Sequence, residues 1–228
     1  MSTFLNRLKV YAIGFAIGMV FVFFFFQNRG CSWLPGNRVK NSILDRVIVI
    51  PSTESNQLKA KGISEKDIIQ LLNDGDVNFK KSKKDGSFKV YYLEKENLNI
   101  YFTLPEESFI SEVRLGSQPL SKIKNSTTGT GKLIRFPKDD ELVFTDTLSK
   151  VACEQRAFGM PQSRMILQSL KKNGEIDFSK SGLTVKPKAE HYLYFNDTQG
   201  RRIGAQAVWY KNKISIDRFD LPFPNDCQ

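Results

Sequence analysis

Two ten-residue segments of this 228-residue chain are nearly the same, and this repeat restricts the architecture more than any other feature. They read NDGDVNFKKS at 73–82 and KNGEIDFSKS at 172–181. The glycine, phenylalanine, second lysine and serine are identical, and three further positions keep their chemistry. Such a repeat predicts that one structural module is present twice. The alternative is a chance similarity of two turns.

The repeated glycines and phenylalanines have expected structural roles. Each segment follows a predicted helix, so Gly75 and Gly174 are predicted to adopt the left-handed conformation beyond a helix end. Phe79 and Phe178 are predicted to anchor the following strand in the core. These four residues are therefore structural candidates rather than catalytic ones.

A predicted helix precedes each copy of the repeat. In GISEKDIIQLLNDG, Ser64 and Asp67 match a capping box, and apolar residues recur at helical spacing. In GMPQSRMILQSLKKNG, Pro161 lies near the first turn and Asn173-Gly174 ends the helix. Three strand-like segments follow each copy: SFKVYYLEK, LNIYFTL and FISEVRL in the first half, and HYLYFN, RIGAQAVWY and KISIDRFDL in the second.

The chain is therefore predicted to be an α+β protein with two tandem modules behind an N-terminal transmembrane helix. Residues 1–30 form a short tail and the membrane anchor, and residues 31–115 form the first module. A linker rich in Ser, Thr and Gly follows at 116–131, and the second module covers 132–228. Each module places a helical front before an antiparallel meander.

The seventeen residues from Val10 to Phe26 carry no charge. At about 1.5 Å per residue, a helix of this length spans roughly 26 Å, the short end of a membrane crossing. We predict an uncleaved single-pass anchor that contacts membrane lipid. A cleaved secretory signal is one alternative, and a lipoprotein signal ending at Cys31 is another.

Gly14 and Gly18 form a GxxxG pair within this span, with Ala12 and Ala16 beside them. Small residues at this spacing let two membrane helices approach closely, which would give a homodimer. Glycine is also frequent in membrane helices in general, and both interpretations fit the sequence.

The three cysteines, Cys31, Cys153 and Cys227, allow one disulfide. A bond between Cys153 and Cys227 would stabilise the second half by roughly 4 kcal/mol in the chain-entropy model and would require an oxidising compartment. Three unrelated thiols are the alternative. No pair of cysteines has the spacing of a zinc site, so no metal or other cofactor is predicted.

A formal charge of +10 invites comparison with nucleic-acid-binding proteins. The basic residues are spread along the chain, and no basic face is visible, so nucleic acid is not an expected partner. Lys80, Lys81, Lys83 and Lys84 form the tip of a predicted hairpin. This tip is interpreted as a solvated loop, with contact to phosphates or lipid headgroups as the alternative.

The segment GISEKDIIQLLNDGDVNF, followed by three short strands, resembles the bacterial domain-of-unknown-function family 4258. The stretch CSWLPGNRVKN at 31–41, after a Phe-rich span, resembles the membrane-anchored branch of that family. The likeness covers about residues 48–115 and, more faintly, 143–221. The family is similar to small ribonuclease-like toxin folds, which use His and Arg side chains on a helix-plus-sheet frame.

The resemblance implies a ribonuclease-like reaction, but this chain lacks the residues for it. The arginine positions of the family fall on Lys61 and Gln57, and its histidine position falls on Thr53. No general base with a pKa near neutrality therefore remains at these positions. The second half places other residues there: Phe158, Glu154 and Lys150.

His191 is the only histidine and the centre of the alternative, an enzyme. A membrane-tethered ribonuclease-like hydrolase would use His191 with a nearby arginine or lysine. Arg201 and Arg202 are the candidates, and sequence spacing does not establish that they lie close to it. A histidine on a predicted strand is more often structural.

We expect a non-catalytic protein of the bacterial inner membrane that acts in protein–protein interaction or scaffolding with an unknown protein partner. An inactive binder that kept a toxin-like frame is a further alternative. Basic residues flank the span on both sides, so the positive-inside rule gives no direction. A short basic N-terminus before a first span favours periplasmic modules.

Overall fold

The structure is a computed structural model that describes residues 2–27, 34–137, 141–144, 148–210, 213–224 and 226–227. Cys31, the residue considered for a lipoprotein signal, lies outside the described residues. The chain divides into two compact units, Met1–Arg38 and Val39–Gln228, which are described separately below.

Helix α1, Ser2–Gln27, is the main element of the first unit. Its described side chains are exposed, although most of them are apolar. The helix is long and apolar enough to cross a membrane, and a signal sequence has the same properties. The predicted N-terminal apolar helix is confirmed, and it is compatible with a membrane anchor or a signal peptide. Within the described residues, a Cβ atom added to Gly14 or Gly18 would meet no heavy atom within 4 Å besides the neighbouring backbone of α1 itself.

The second unit is organised by one mixed sheet of eleven strands in the described part of the chain. In chain order, the elements after α1 are α2 (Pro35–Leu44), β1 (Val47–Pro51), α3 (Ser52–Ala60), α4 (Glu65–Asp74), β2 (Asp76–Lys83), β3 (Phe88–Lys95), β4 (Leu98–Pro105), β5 (Ile110–Leu115), a 3-10 turn (Leu120–Lys122), β6 (Thr130–Arg135), β7 (Glu141–Phe144), α5 (Leu148–Ala157), α6 (Ser163–Asn173), β8 (Glu175–Gly182), β9 (Glu190–Asn196), β10 (Arg202–Tyr210) and β11 (Lys213–Asp220).

The strands follow the spatial order β2-β3-β4-β5-β1-β6-β8-β9-β10-β11-β7. In each half, one strand is followed by two helices and then by four antiparallel strands, the last of which pairs in parallel with the first. These parallel pairs are β1 with β5 and β7 with β11. Strand β6 lies between the halves and is antiparallel to both β1 and β8. The α+β class is confirmed, and the sheet is mixed rather than a pair of purely antiparallel meanders.

The stretch 116–131, predicted as a linker, contains the 3-10 turn and the first two residues of β6. Ile123 within it is buried against Val90, Tyr92 and Tyr101 on strands β3 and β4. These residues therefore pack on the sheet.

The two main hydrophobic cores lie on opposite faces of this sheet. Side chains alternate along a strand, so Val47 and Val49 of β1 face one core while Ile48 and Ile50 face the other. All five residues of β1 are buried. The first of these cores contains residues of α5 and α6, and the second contains residues of α3 and α4. Strand β1 therefore contributes side chains to two cores, each of which contains helical residues from a different half.

Helix α4 begins with the predicted capping box, which is confirmed. The Ser64 Oγ accepts a hydrogen bond from the Asp67 amide, and the Asp67 carboxylate accepts one from the Ser64 amide. The Ser64 hydroxyl also donates to the Asp67 carboxylate at 2.6 Å, and this bond, followed by the one from the Ser64 amide, lowers the pKa of Asp67. Ile68, Leu71 and Leu72 are buried and give the helix its apolar face.

The left-handed conformation predicted for Gly75 and Gly174 is wrong. Their φ angles are −76° and −68°, and both residues are extended. A Cβ atom on Gly75 would lie 2.5 Å from the carbonyl oxygen of Leu71, and one on Gly174 would collide with the carbonyl oxygen of Leu170. Glycine is required because the strand leaves the helix in close contact with its last turn.

Gly131 on β6 lies at the junction of the two halves, where the backbone is in close contact with neighbouring side chains. A Cβ atom there would lie 2.6 Å from Val49 Cγ1 and 2.9 Å from the ring of Phe178. Phe178 is buried in the core at 2 % exposure, whereas Phe79, its counterpart in the first copy, is only partly buried.

We predict that Gly131→Val destabilises the protein by about 1–3 kcal/mol, because the added side chain overpacks the space between Val49 and Phe178. The free energy of unfolding in urea, measured on the full chain in detergent micelles, checks this. Thr128→Val, at an exposed position of the same segment, is the control and should change little. Equal stability of the two variants would contradict the packing at this junction.

Candidate functional site

The first copy of the repeated segment forms a β-bulge in strand β2. The register shifts between Asn78 and Lys83. The Asn78 side-chain oxygen accepts hydrogen bonds from the amides of Lys80, at 3.1 Å, and Lys81, at 3.2 Å. Ser82 Oγ donates to the Asn78 carbonyl at 2.7 Å and accepts from the Tyr92 amide at 3.0 Å. The bulge is thus closed by side chains of the repeat itself.

The second copy builds the same bulge in strand β8. The Asp177 carboxylate accepts from the amides of Ser179, at 3.0 Å, and Lys180, at 3.2 Å. Ser181 Oγ donates to the Asp177 carbonyl and accepts from the Tyr192 amide at 2.9 Å. The first copy has Asn and the second has Asp at this position. Both fit, because the bulge needs only a side-chain oxygen that reaches the two backbone amides.

The repeated lysine also has the same place in both copies. The Lys81 ammonium lies 4.6 Å from the ring centre of Tyr92, and the Lys180 ammonium lies 4.6 Å from that of Tyr192. Hydrogen bonds to Glu94 and Tyr194, respectively, are the main causes that raise the pKa values of these lysines. Both lysines therefore stay charged, and their partners lie within the fold.

Tyr194 is the centre of an exposed charged cluster in the second half. The Arg202 guanidinium lies 3.8 Å from its ring centre and forms an ion pair of 2.7 Å with Glu175. On the same face, the Tyr192 hydroxyl donates to Asp220, and burial followed by this carboxylate raises the pKa of Tyr192. The charges of the cluster are balanced between its own members.

His191 is completely buried on strand β9. Its Nε2 lies 2.8 Å from Ser108 Oγ, in the loop between β4 and β5 of the other half. Nδ1 has no partner with good hydrogen-bond geometry, although the Ala207 backbone nearby slightly favours the charged ring. Burial dominates and lowers the pKa of His191 to about 4, so the ring is neutral at physiological pH.

Arg46 holds the loop that brings Ser108 to His191. Its Nη1 donates to the carbonyl oxygens of Pro105, at 2.7 Å, and Ser108, at 2.6 Å. Burial lowers the pKa of Arg46 to about 10, which still leaves the group charged at neutral pH. The histidine is therefore part of the packing between the two half-sheets.

Arg201 and Arg202 are not brought to His191. Arg202 lies opposite Asn196 in the sheet, whereas His191 itself lies five residues back along β9. At about 3.3 Å per residue, this separation is roughly 16 Å. Arg201 forms an ion pair of 2.7 Å with Asp197, and Arg202 pairs with Glu175. The structure therefore does not bring His191, Arg201 and Arg202 together.

A buried ion network in the first half was not predicted from the sequence. Arg114 forms ion pairs with Glu112, at 2.7 Å, and Glu54, at 3.4 Å, and it donates to Ser126 Oγ at 2.7 Å. Burial raises the pKa of Glu112, and the opposing effect of Arg114 is the next largest cause. Ser126 also donates its amide to Glu112 and so fixes the stretch between β5 and β6.

The described residues form several open surface clefts. The largest of those described has a volume of about 530 Å³ and lies between α4 and the β3–β4 turn, where Asp67, Gln70 and Lys95 line it. A second, of about 250 Å³, lies beside Arg114 and is lined by Lys122 and Lys124. The described residues contain no group of His, Cys, Asp and Glu that could hold a metal ion.

Cys153 of α5 and Cys227 near the C-terminus form a disulfide bond, with their Cα atoms 5.7 Å apart. The bond encloses a loop with a sequence separation of 74 residues, which contains α6 and strands β8 to β11.

Comparisons with protein families, curated proteins and solved structures find no match. The resemblance to family 4258 therefore stays a prediction.

We predict that His191 makes stability depend on pH. Its pKa is about 4 in the folded chain and near 6.5 when unfolded, so the unfolded state binds a proton first as pH falls. The stabilisation is complete above pH 6.5 and is lost between about pH 6.5 and 4, by up to roughly 3 kcal/mol. Urea unfolding at several pH values measures it. His191→Gln, which cannot take up this proton, should remove that part of the pH dependence, and an unchanged profile would contradict the assignment.

We predict that reduction of the Cys153–Cys227 bond destabilises the second half by about 4 kcal/mol, as expected for a loop of this length. Thermal unfolding with and without a thiol reductant measures the change, and Cys153→Ser with Cys227→Ser should reproduce it. Cys31→Ser is the matched control and should keep the sensitivity to reductant. Identical melting of the oxidised and reduced chains would contradict this prediction.

Proposed function

We propose that the chain is a membrane-anchored, non-catalytic protein with two copies of one α+β module, and that it binds a protein partner at the bacterial envelope. The observation that carries the proposal is the use of the repeated residues. In both copies, the Asx residue, the lysine and the serine support the bulge and its neighbouring tyrosine. The repeated residues therefore maintain the structure of the bulge in both copies.

Duplication is supported by more than the repeated segment. Both halves have the same element order and the same parallel pairing of first and last strands. The glycine at the helix end makes the same close contact in each half. Chance similarity of two turns would not extend to the topology of the strands around them. The likeness of this module to family 4258 forms part of the proposal.

The location proposed for the modules is the periplasm. The disulfide between Cys153 and Cys227 favours an oxidising compartment. With helix α1 as a single-pass anchor, the N-terminus then lies in the cytoplasm. Gly14 and Gly18 provide close approach for a homodimer of anchors, because small residues at this spacing let the backbones of two membrane helices come together.

The hydrolase alternative receives little support from the position of its residues. His191 is buried and neutral, and Arg201 and Arg202 are engaged in ion pairs at the far end of the strand. A general base must reach the proton that it abstracts, directly or through one water molecule.

We predict that a photoreactive residue placed in living cells at exposed positions yields a discrete cross-linked product with one protein partner. Suitable positions are Lys66 on α4, Lys89 on β3 and Lys172 on α6. The purified full chain should leave RNA intact. Absence of any cross-linked partner at all three positions would contradict the proposal. RNA hydrolysis that disappears in His191→Gln would establish the hydrolase instead.

A further inference from the structure

Strands β2 and β8 are counterparts in the two halves, but only β8 has a strand on its outer side. Strand β6 pairs with β8 through Thr130 opposite Asp177, Gly131 opposite Ile176 and Lys132 opposite Glu175. Strand β2 is the last strand of the sheet at its end. The first half therefore has an open edge at the position where the second half is paired.

The backbone groups at the open edge of β2 correspond to the groups through which β8 hydrogen-bonds to β6. The Phe178 amide donates to the Gly129 carbonyl at 2.9 Å, and the Leu133 amide donates to the Gly174 carbonyl at 2.9 Å. The counterparts of the two β8-side groups are the amide of Phe79 and the carbonyl of Gly75. Within the described part of the chain, no strand lies opposite them.

The side chains differ in the same way. In the second half, Gly131 brings the β6 backbone against the ring of Phe178, which is 2 % exposed. In the first half, Phe79 is only partly buried, and the ammonium of Lys84 lies 4.6 Å from its ring centre. The ring of Phe79 therefore has no backbone segment over it like the one at Gly131 that covers the ring of Phe178.

The bulge in β2 does not block this edge. Bulges and lysines commonly protect edge strands from pairing. Strand β8 has the same bulge after Asp177, and β6 nevertheless pairs with the three residues before it. The corresponding residues of β2, from Asp76 to Asn78, are equally regular and pair with β3 in the same register.

The charge around the edge indicates the chemistry of its partner. Exposed lysines lie at the far end of β2, namely Lys80, Lys83 and Lys84, while Lys81 beside them is already paired with Glu94. A strand that runs antiparallel to β2, as β6 does to β8, would bring the residues at its N-terminal end to these lysines. Acidic residues there would be attracted to them.

We propose that the open edge of β2 binds an extended segment of a partner protein as an antiparallel strand. The segment has glycine opposite Val77 and acidic residues shortly before that glycine. Main-chain hydrogen bonds supply the affinity, and the ring of Phe79 selects for glycine. This inference rests on the proposed function, because it specifies how the protein partner is held.

Peptides that copy the sequence of β6 test the edge on the full chain in detergent micelles. The probe SDDGTGKLIR follows residues 126–135 with Thr127 and Thr128 replaced by aspartate. Its control, SDDGTVKLIR, has valine at the position of Gly131. We expect saturable binding of the probe with slowed amide exchange at Val77 and Phe79, and at least about tenfold weaker binding of the control.

Val77→Pro and Val77→Thr form a matched pair of protein variants. Proline removes the amide that faces the open edge and suits an edge strand, whereas threonine keeps that amide. We expect Val77→Pro to weaken the probe at least about tenfold and Val77→Thr to stay within about twofold. No saturable binding at millimolar peptide, or equal binding by both variants, would overturn the proposal. If the full chain formed a homodimer that Val77→Pro abolished, this would also overturn the proposal, because a second copy of the chain would then bind the edge of β2.

The two proposals fail separately. Cross-linked partners at Lys66, Lys89 or Lys172 without peptide binding would leave the proposed function standing and remove the β2 edge as its mode. Peptide binding without any cross-linked partner in cells would show that the β2 edge can accept a strand, and it would contradict the proposed function.

Discussion

Strand β6 pairs with β1 on one side and β8 on the other, and strand β1 beside it has no face open to solvent. Val47 and Val49 are buried in one core, and Ile48 and Ile50 are buried in the other. Each such side chain contributes about 1.5–3 kcal/mol by leaving water. Separation of the halves would expose one of the two faces of β1, so each half depends on the other for its own core.

Local features of the fold could be predicted from the sequence, and pairing between distant strands could not. The capping box of Ser64 and Asp67 and the apolar stripe after it define α4, because all of the interacting residues lie within one or two turns. The segments predicted as strands coincide with β3, β4, β5, β9, β10 and β11 to within one or two residues. Strand β6 was missed because TGKLIR is short and follows a run of Ser, Thr and Gly, and its partners are fixed only by contacts from elsewhere in the chain.

The candidate site was predictable to a similar degree. The repeat itself predicted the helix–strand junction. Its side-chain hydrogen bonds form only where the strand bulges, and the alternation of apolar and polar residues does not predict a bulge. The contact of His191 with Ser108 joins residues 83 positions apart and had no sequence signal. Glu112 and Arg114 did leave one, since opposite charges two residues apart on a strand share a face and can pair with each other.

The disulfide between Cys153 and Cys227 gives the second half a defined response to tension. In the function proposed above, α1 would hold the chain in a lipid bilayer and a protein partner would hold it elsewhere, so a force between the two would load the fold. A force applied at Cys227 would pass through the sulfur atoms directly to helix α5, and strands β8 to β11 would lie outside the load path. The covalent bridge would therefore keep these strands from unzipping one after another while the bridge is intact.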